Sequence, residues 1–199
     1  LFLLDLQAIA ATKTAYMPAG PAADADIALD GVIVAETALM AEGEEAGRLI
    51  AEAEARGQLI ACAEMLGGME KLLELTVDYL RDRRQFGQPL SGFQALQHAA
   101  VDMYVELETA RAMLDFGGRM FGASPDERAA ALDAVKLKMN GAAKLIGESA
   151  VQLHGGIGMT EESLTGRIFG RLTALRITAG DSRSCMKRLL AVDRSVALA

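Results

Sequence analysis

Four short segments of the sequence carry residues that could contact a ligand. Residues 82–89 (DRRQFGQP) and 93–98 (FQALQH) combine arginine, glutamine and phenylalanine, and residues 151–159 (VQLHGGIGM) and 176–183 (RITAGDSR) combine glycine with polar side chains. Each segment is expected at a helix end or in a linker, where side chains and free backbone amides can reach a ligand. Taken singly, each is more typical of an ordinary helix terminus, where arginine complements the helix dipole and glycine ends the helix.

The cysteines and histidines lie in no motif that would bind a metal ion or form a disulfide framework. Cys62 and Cys185 are isolated in the sequence, so we expect free, buried thiols in a reducing compartment. His98 and His154 belong to no motif with metal-ligand spacing. The sequence therefore predicts neither a metal site nor a disulfide.

The composition describes an acidic globular chain. Its 199 residues are 51% hydrophobic and 24% charged, and the net charge of −7 disfavours binding to the nucleic-acid backbone. No apolar run approaches the roughly 18 residues that a membrane span needs, and no basic leader precedes the first apolar run. We therefore expect no membrane span and a location in the cytoplasm or an organellar matrix.

Two patterns divide the chain near residue 45. Residues 1–45 contain short apolar stretches, including a predicted strand–turn–strand over residues 27–34 with its turn at Asp30 and Gly31. From residue 46 onward, Ala, Leu, Glu, Arg and Met dominate at helical spacing. This division predicts a small β-rich domain remnant at 1–45 and a helical bundle domain at 46–199.

The helical part is predicted to contain three long helices and two short ones. Residues 47–84 form one helix, or two with a joint near Gly67 and Gly68. Ser91 is expected to cap the next helix with Gln94, and a third helix begins at Ser124 and runs to residue 154. Two shorter helices are expected near 161–169 and 182–195. Long helices with short connections predict a mainly α, up-and-down helix bundle.

The order and spacing of the four ligand-contact segments together resemble the C-terminal helical domain of the acyl-CoA dehydrogenase family. The resemblance covers residues 46–195, and residues 1–42 are similar to the last strands of the family's middle β-domain, in particular at Asp26 to Val34. It implies that the chain, which opens at Leu1 on a strand-like run, corresponds to about the C-terminal half of such an enzyme. It also implies that the parent enzyme uses FAD to introduce a Cα–Cβ double bond into an acyl-CoA thioester.

The resemblance further implies partners and cofactor contacts. The family forms dimers and tetramers through this bundle, homomeric or heteromeric, and passes electrons to an electron-transfer flavoprotein. Arg83 is similar to the arginine that meets the FAD pyrophosphate, a role that suits a bidentate guanidinium. A carboxylate at Asp181, where the family has threonine, is unfavourable beside a pyrophosphate. The implied cofactor contacts are Arg83, Gln85, Phe86, Phe93, Gln94, Gln152, Leu153, Gly155, Gly156, Asp181, Ser182 and Arg183.

The chain departs from the family at the general base. The family's usual catalytic glutamate falls at Ala179, and the alternative position on the first long helix falls near Gly57. Neither residue can accept a proton, and loss of a positioned base typically costs about 10²–10⁴ in rate. Glu54, one helical turn before Gly57, is the remaining candidate base, and its alternative role is a solvated surface charge. Glu52 lies nearby and, like Glu54, could serve only if the helix register differs; Glu64 and Glu70 on the same helix are weaker candidates.

Four interpretations stay open from the sequence. The chain could be the base-lacking subunit of a heteromeric acyl-CoA dehydrogenase, or a catalytic chain whose base comes from another residue. It could also be a flavin-binding relative with altered chemistry. A non-enzymatic alternative is a helical module that only oligomerises, which the ten methionines and Ala-rich faces would suit.

Overall fold

The fold was obtained as a computed structural model, which describes residues 1–5, 7, 12–16, 24–160 and 162–197. Five helices account for most of these residues, and two short antiparallel strand pairs accompany them. The elements are β1 Thr12–Tyr16, β2 Asp24–Ala28, α1 Gly43–Asp82, β3 Arg84–Gln85, β4 Gln88–Pro89, α2 Gln94–Met120, α3 Pro125–His154, α4 Leu164–Leu175 and α5 Ser182–Ala197.

Contacts at both ends of α1 and α3 fix their relative direction. Tyr79 near the end of α1 stacks on His154 at the end of α3, with ring centroids 4.5 Å apart. Glu52 near the start of α1 binds Arg128 near the start of α3 at 2.9 Å. The two helices therefore run parallel, and α2 returns between their ends in the opposite direction, as short connections require.

The fourth position of the bundle is filled by α4 and α5 in succession. Thr165 at the start of α4 lies beside His154, whereas Arg188 of α5 binds Asp133 near the start of α3 at 2.5 Å. Both helices therefore run antiparallel to α3, and a break at residues 176–181 separates them. This up-down-up-down arrangement confirms the predicted mainly α helix bundle.

Methionines and small residues fill the core between the helices. Glycine is required where helices approach closely: a Cβ on Gly147 would lie 2.8 Å from the ring of Phe169, and one on Gly117 would lie 2.9 Å from Val135. Such contacts leave no room for an added methyl group in a close-packed interior. The largest fully buried apolar side chains are Met65, Met69, Leu72, Met103, Leu132, Met139, Ile146 and Leu172.

The first long helix is continuous through its two central glycines. Residues Gly67 and Gly68 lie within α1, so the alternative of two helices with a joint is not observed. A Cβ on Gly68 would lie 3.1 Å from the side chain of Leu172 on α4. The second glycine thus allows α4 to pack closely and is not a hinge.

The two predicted capping boxes have opposite outcomes. Ser124 caps α3 as predicted: its hydroxyl accepts from the Glu127 amide, and the Glu127 carboxylate accepts from the Ser124 amide. Hydrogen bonds from Ser124 hold the pKa of Glu127 below its usual range. The predicted Ser91 cap is wrong, because residues Leu90–Gly92 form a 3-10 turn and α2 begins only after Phe93. No side-chain hydrogen bond caps this end of α2.

The predicted hairpin at residues 27–34 is only half observed. Ile27 lies in β2, but β2 pairs with the preceding strand β1, and residues 32–34 form no strand. Val32 instead donates its amide to Leu29 in a tight turn, with Gly31 at φ +70°. The predicted strand at Ile27 and the turn at Asp30 and Gly31 are present, but the pairing partner of that strand lies earlier in the chain.

Candidate functional site

The β3–β4 hairpin stands at the end of α1 and exposes several of the predicted cofactor contacts. Its two-residue loop, Phe86 and Gly87, has φ angles of +56° and +82°, as tight hairpin turns require. Phe86 is 90% exposed, and its ring meets that of Phe93 edge-on with centroids 6.1 Å apart. Arg83 and Gln85 are also exposed. An exposed aromatic side chain held in the left-handed region is uncommon and marks this loop as a functional candidate.

The end of α3 lies at the same end of the bundle. Because His154 stacks on Tyr79 of α1, residues 152–156 lie near the hairpin and the start of α2 at Gln94. Gly155 ends α3 with φ +65°, and no heavy atom lies within 4 Å of the Cβ position of Gly155 or Gly156. The hairpin end, defined here as residues 83–94 and 152–156, therefore combines exposed donors with open backbone.

The third predicted group, Asp181, Ser182 and Arg183, lies elsewhere. It follows the break between α4 and α5, which packs beside Asn140 in the middle of α3. Fourteen helical residues separate Asn140 from His154, which corresponds to about 20 Å along the helix axis. The structure thus brings the hairpin-end residues together and places residues 181–183 apart from them.

Asp181 has a local structural role. Its carboxylate accepts hydrogen bonds from the amides of Arg183 and Ser184 at 2.8 and 3.0 Å and from the Ser184 hydroxyl at 2.9 Å. These bonds, chiefly that from the Ser184 amide, hold the pKa of Asp181 below its usual range. An aspartate is a favoured helix N-cap, so this residue explains the start of α5 without a ligand.

A cavity of about 530 Å³ opens between α1, α3 and the start of α5, and we call it the α1–α5 cavity. Both base positions inferred from the family resemblance, Gly57 and Ala179, line it together with Glu54. Ala179 has φ +55° and Gly180 has φ +116°, so the break makes a sharp turn at the cavity wall. The other lining residues are Ala51, Ala55, Gln58, Ala129, Leu132, Asp133, Gly180 and Arg188.

Glu54 differs from the other carboxylates that the sequence offered on α1. The other three form ion pairs within the bundle, whereas Glu54 has no hydrogen bond or ion pair to any residue that the structure describes. Glu54 is exposed at the mouth of the α1–α5 cavity. The ion pairs join Glu52 to Arg56 and Arg128, Glu64 to Arg171, and Glu70 to Arg111.

An ion pair between a buried carboxylate and an exposed arginine forms one wall of the cavity. Asp133 is almost fully buried and accepts two hydrogen bonds from Arg188, at 2.7 and 2.5 Å, and one from Gln58 at 3.3 Å. The hydrogen bonds that Arg188 donates to the Asp133 carboxylate raise the pKa of Arg188 above its ordinary value. Through these three hydrogen bonds Asp133 fixes α5 against α1 and α3.

The comparison with protein families decides which fold this is. The family model described as "Acyl-CoA dehydrogenase, C-terminal domain" matches residues 36–192. The chain belongs to the acyl-CoA dehydrogenase family.

Curated relatives and solved structures agree with this family. The acyl-CoA dehydrogenase IpdE2 of Mycolicibacterium smegmatis is 36% identical over 124 residues, covering 62% of this chain and 38% of that protein. Butyryl-CoA dehydrogenase from Megasphaera elsdenii superposes with a TM-score of 0.86 at 21% identity, over 96% of this chain and 50% of that one. The ChsE4–ChsE5 complex from Mycobacterium tuberculosis gives 0.80 at 22% identity, over 94% and 49%. The chain spans about half the length of these solved relatives.

Sequence reasoning missed several polar residues around the α1–α5 cavity. Asp133, Lys136 and Asn140 are buried on α3, where the helical pattern predicts an apolar face. Charged and amide side chains at otherwise apolar positions were the signal that could have identified them, because such groups are rarely buried without partners.

The remaining expectations concern metals, thiols and membranes. Within the described ranges, no cluster of three or more His, Cys, Asp or Glu residues could hold a metal ion. Cys62 and Cys185 are free and buried, as predicted. Of the helices that the structure describes, none has the length and apolar character to cross a bilayer.

Proposed function

We propose that this chain is part of an FAD-dependent acyl-CoA dehydrogenase and acts as its base-lacking subunit in a heteromeric assembly. The α1–α5 cavity carries the proposal. Both positions that hold the base in the family line this cavity, and they are occupied here by Gly57 and Ala179, neither of which has a carboxylate. The same chain keeps the exposed polar residues of the hairpin end. It therefore retains the means to bind a cofactor and lacks the means to remove an α-proton.

The residues of the hairpin end fit FAD. Arg83 would pair with phosphate oxygens, and Gln85, Gln94 and Gln152 supply exposed amide groups. The open space beside Gly155 and Gly156 would let an adenosine group approach the backbone. Bound FAD would accept the β-hydride of the acyl group. Phe86, Phe93 and Leu153 would contribute apolar contacts to the same cofactor, whereas Ser182 and Arg183 lie apart from them at the start of α5.

The chain's own residues would shape the acyl-CoA site without taking part in proton transfer. The Asp133–Arg188 pair holds α5 beside α1, and the small residues Gly57 and Ala179 leave the cavity wide. Glu54 is the one lining carboxylate without a partner in the described part of the chain, but its exposure favours a solvated charge. A base from a partner subunit would complete the reaction.

The proposed partners follow from the family and from its solved complexes. The ChsE4–ChsE5 structure is a complex of two different chains, and another neighbour in fold, with a TM-score of 0.86, is described as an electron transferring flavoprotein. By analogy we propose a dimer or tetramer through the bundle, with an electron-transfer flavoprotein as electron acceptor. We propose that the assembled enzyme acts in the cytoplasm or an organellar matrix.

Visible flavin absorbance of the purified protein tests the cofactor part of the proposal. The protein is purified alone and together with a base-bearing acyl-CoA dehydrogenase subunit, and the flavin content per chain is measured. We expect bound FAD in at least one of the two preparations. Absence of flavin from both, even after addition of FAD, would contradict the proposal.

A second candidate function, a non-catalytic oligomerisation module, is favoured by one observation. Val101, Tyr104 and Val105 expose more than half of their surface on α2, an apolar face that another chain could cover. The flavin measurement separates the two candidates, because a pure interaction module would form oligomers of defined size without bound flavin.

A further inference from the structure

Two buried polar residues of α3 lie behind the α1–α5 cavity, one helical turn apart. Lys136 is fully buried, and its ammonium group donates to the Asn140 side-chain oxygen at 3.0 Å and to the Leu175 carbonyl at 2.6 Å. The sulfur of Met65 lies 3.8 Å from the same nitrogen. No carboxylate pairs with Lys136 among the residues described, so backbone and amide oxygens alone compensate its charge.

These side chains bind both sides of the break between α4 and α5. Leu175 is the last residue of α4, and its carbonyl has no partner within the helix because the helix ends there. Lys136 supplies that partner. On the other side, the Asn140 amide donates to the carbonyl of Gly180 at 3.2 Å. One turn of α3 therefore holds the residues that precede and follow Ala179.

The break itself is an unfavourable structure. Ala179 occupies the left-handed region at φ +55°, which a residue with a Cβ rarely adopts. The Nε atom of Arg176 is buried and has no hydrogen-bond partner among the residues that the structure describes. Unfavourable conformations of this kind persist where the surrounding structure determines them, and they concentrate at functional sites.

We infer that Lys136 and Asn140 are positioning residues that fix the turn at residues 176–180 and hold residue 179 at the wall of the α1–α5 cavity. The inference rests on the proposed function, because residue 179 matters for chemistry only if it is the base position. In this chain the turn is kept although residue 179 is alanine. The pair acts through the backbone of the turn and does not touch the cavity.

The Asn140→Asp variant tests the inference most sharply. Aspartate keeps an oxygen for Lys136 and adds a favourable charge, but it has no donor for the Gly180 carbonyl. A residue that only stabilises the bundle would tolerate this change, whereas a positioning residue would release the turn. Lys136→Met, which keeps the length and removes the donors, provides a second variant if Asn140→Asp folds poorly. Thr76→Val serves as control, since Thr76 is equally buried but bonds only within α1.

Amide hydrogen exchange measures the turn directly and needs no enzyme activity. The amides of Ile177 and Thr178 donate to the Ala174 carbonyl and report on the turn. We expect exchange of these amides to be about tenfold faster in Asn140→Asp and in Lys136→Met than in the wild type. In Thr76→Val, the exchange rates of these two amides should equal those of the wild type after correction for any change in the free energy of unfolding. Unchanged exchange in both variants, measured in folded protein, would overturn the inference.

Kinetics in an Ala179→Glu background provide the second readout. There, Asn140→Asp should lower kcat about tenfold with little change in KM, because the new carboxylate loses its position and substrate binding is kept. An equal kcat with and without Asn140 would overturn the inference. If Ala179→Glu shows no activity at all, the proposed function fails, and the exchange experiment still decides whether Lys136 and Asn140 position the turn.

Discussion

The hairpin end and the α1–α5 cavity have kept different parts of the same family pattern. At the hairpin end, Arg83, Gln85 and Gln94 stand exposed beside glycines with open backbone. In the cavity, the sharp turn at Ala179 is retained, but the side chain that would act there is absent. Under the proposed function, cofactor binding and proton transfer would depend on separate regions of the bundle, so that one could be lost while the other is kept.

The largest effect is expected from restoring a carboxylate to the cavity. Ala179→Glu should raise the rate of flavin reduction by an acyl-CoA thioester about 10²–10⁴-fold, the usual contribution of a positioned general base. Anaerobic stopped-flow absorbance of the flavin-loaded protein measures this rate. Ala179→Gln, with the same shape and no basic group, is the control and should show no gain. Equal gains in both variants would contradict the account of the cavity.

The hairpin end is tested by its neighbouring arginines. Arg83→Ala should weaken FAD binding about tenfold to a hundredfold, since a hydrogen bond to a charged group contributes about 1.5–3 kcal/mol. Arg84→Ala is the matched control, because Arg84 is equally exposed and lies outside the implied contact set. Fluorescence titration with FAD gives both affinities. If Arg84→Ala weakens binding more than Arg83→Ala, the assignment of the hairpin end is wrong.

The pH dependence of stability at alkaline pH tests whether the Cys62 thiol in the core is shielded from water. Burial raises the pKa of the Cys62 thiol to about 11, so between about pH 9 and 11 the unfolded thiol loses its proton while the folded thiol keeps it. The unfolding free energy should therefore fall as pH rises through this window, by about 2 kcal/mol from Cys62. Urea unfolding at several pH values measures the slope. Cys62→Ala should be flatter in this window, and an unchanged slope would show that the thiol is hydrated.

The smallest effect is expected from filling the vacant base position on α1. Gly57→Ala should raise the free energy of unfolding by about 0.5–1 kcal/mol, because Gly57 lies inside a helix. A Cβ added there would meet no atom of the described residues within 4 Å. FAD affinity should stay the same. Gly147→Ala is the contrasting control, since a Cβ there would overlap Phe169 and lower the thermal midpoint. A destabilising Gly57→Ala would mean that the cavity is already filled beside α1.

The sequence was sufficient for the long helices and for the family, because periodic apolar positions and the four spaced motifs are local signals. It was insufficient where the outcome depends on distant partners. Ser91 has the residues of a capping box, yet the preceding 3-10 turn moves the start of α2 to Gln94. Lys136 and Asn140 are polar residues on an apolar helix face, and the sequence alone gives no reason for them. Their partners are the carbonyls of Leu175 and Gly180 at the break between α4 and α5, which are distant in sequence.

The most direct test of the account is flavin reduction measured for the protein alone and for the protein assembled with a base-bearing partner. Both preparations are loaded with FAD and mixed anaerobically with a panel of short, branched and ring-containing acyl-CoA thioesters. The account predicts that the acyl-CoA thioesters leave flavin in the preparation of the protein alone oxidised and reduce the flavin of the assembly. Rapid bleaching of the protein alone, abolished by Glu54→Gln, would contradict it and would make Glu54 the base.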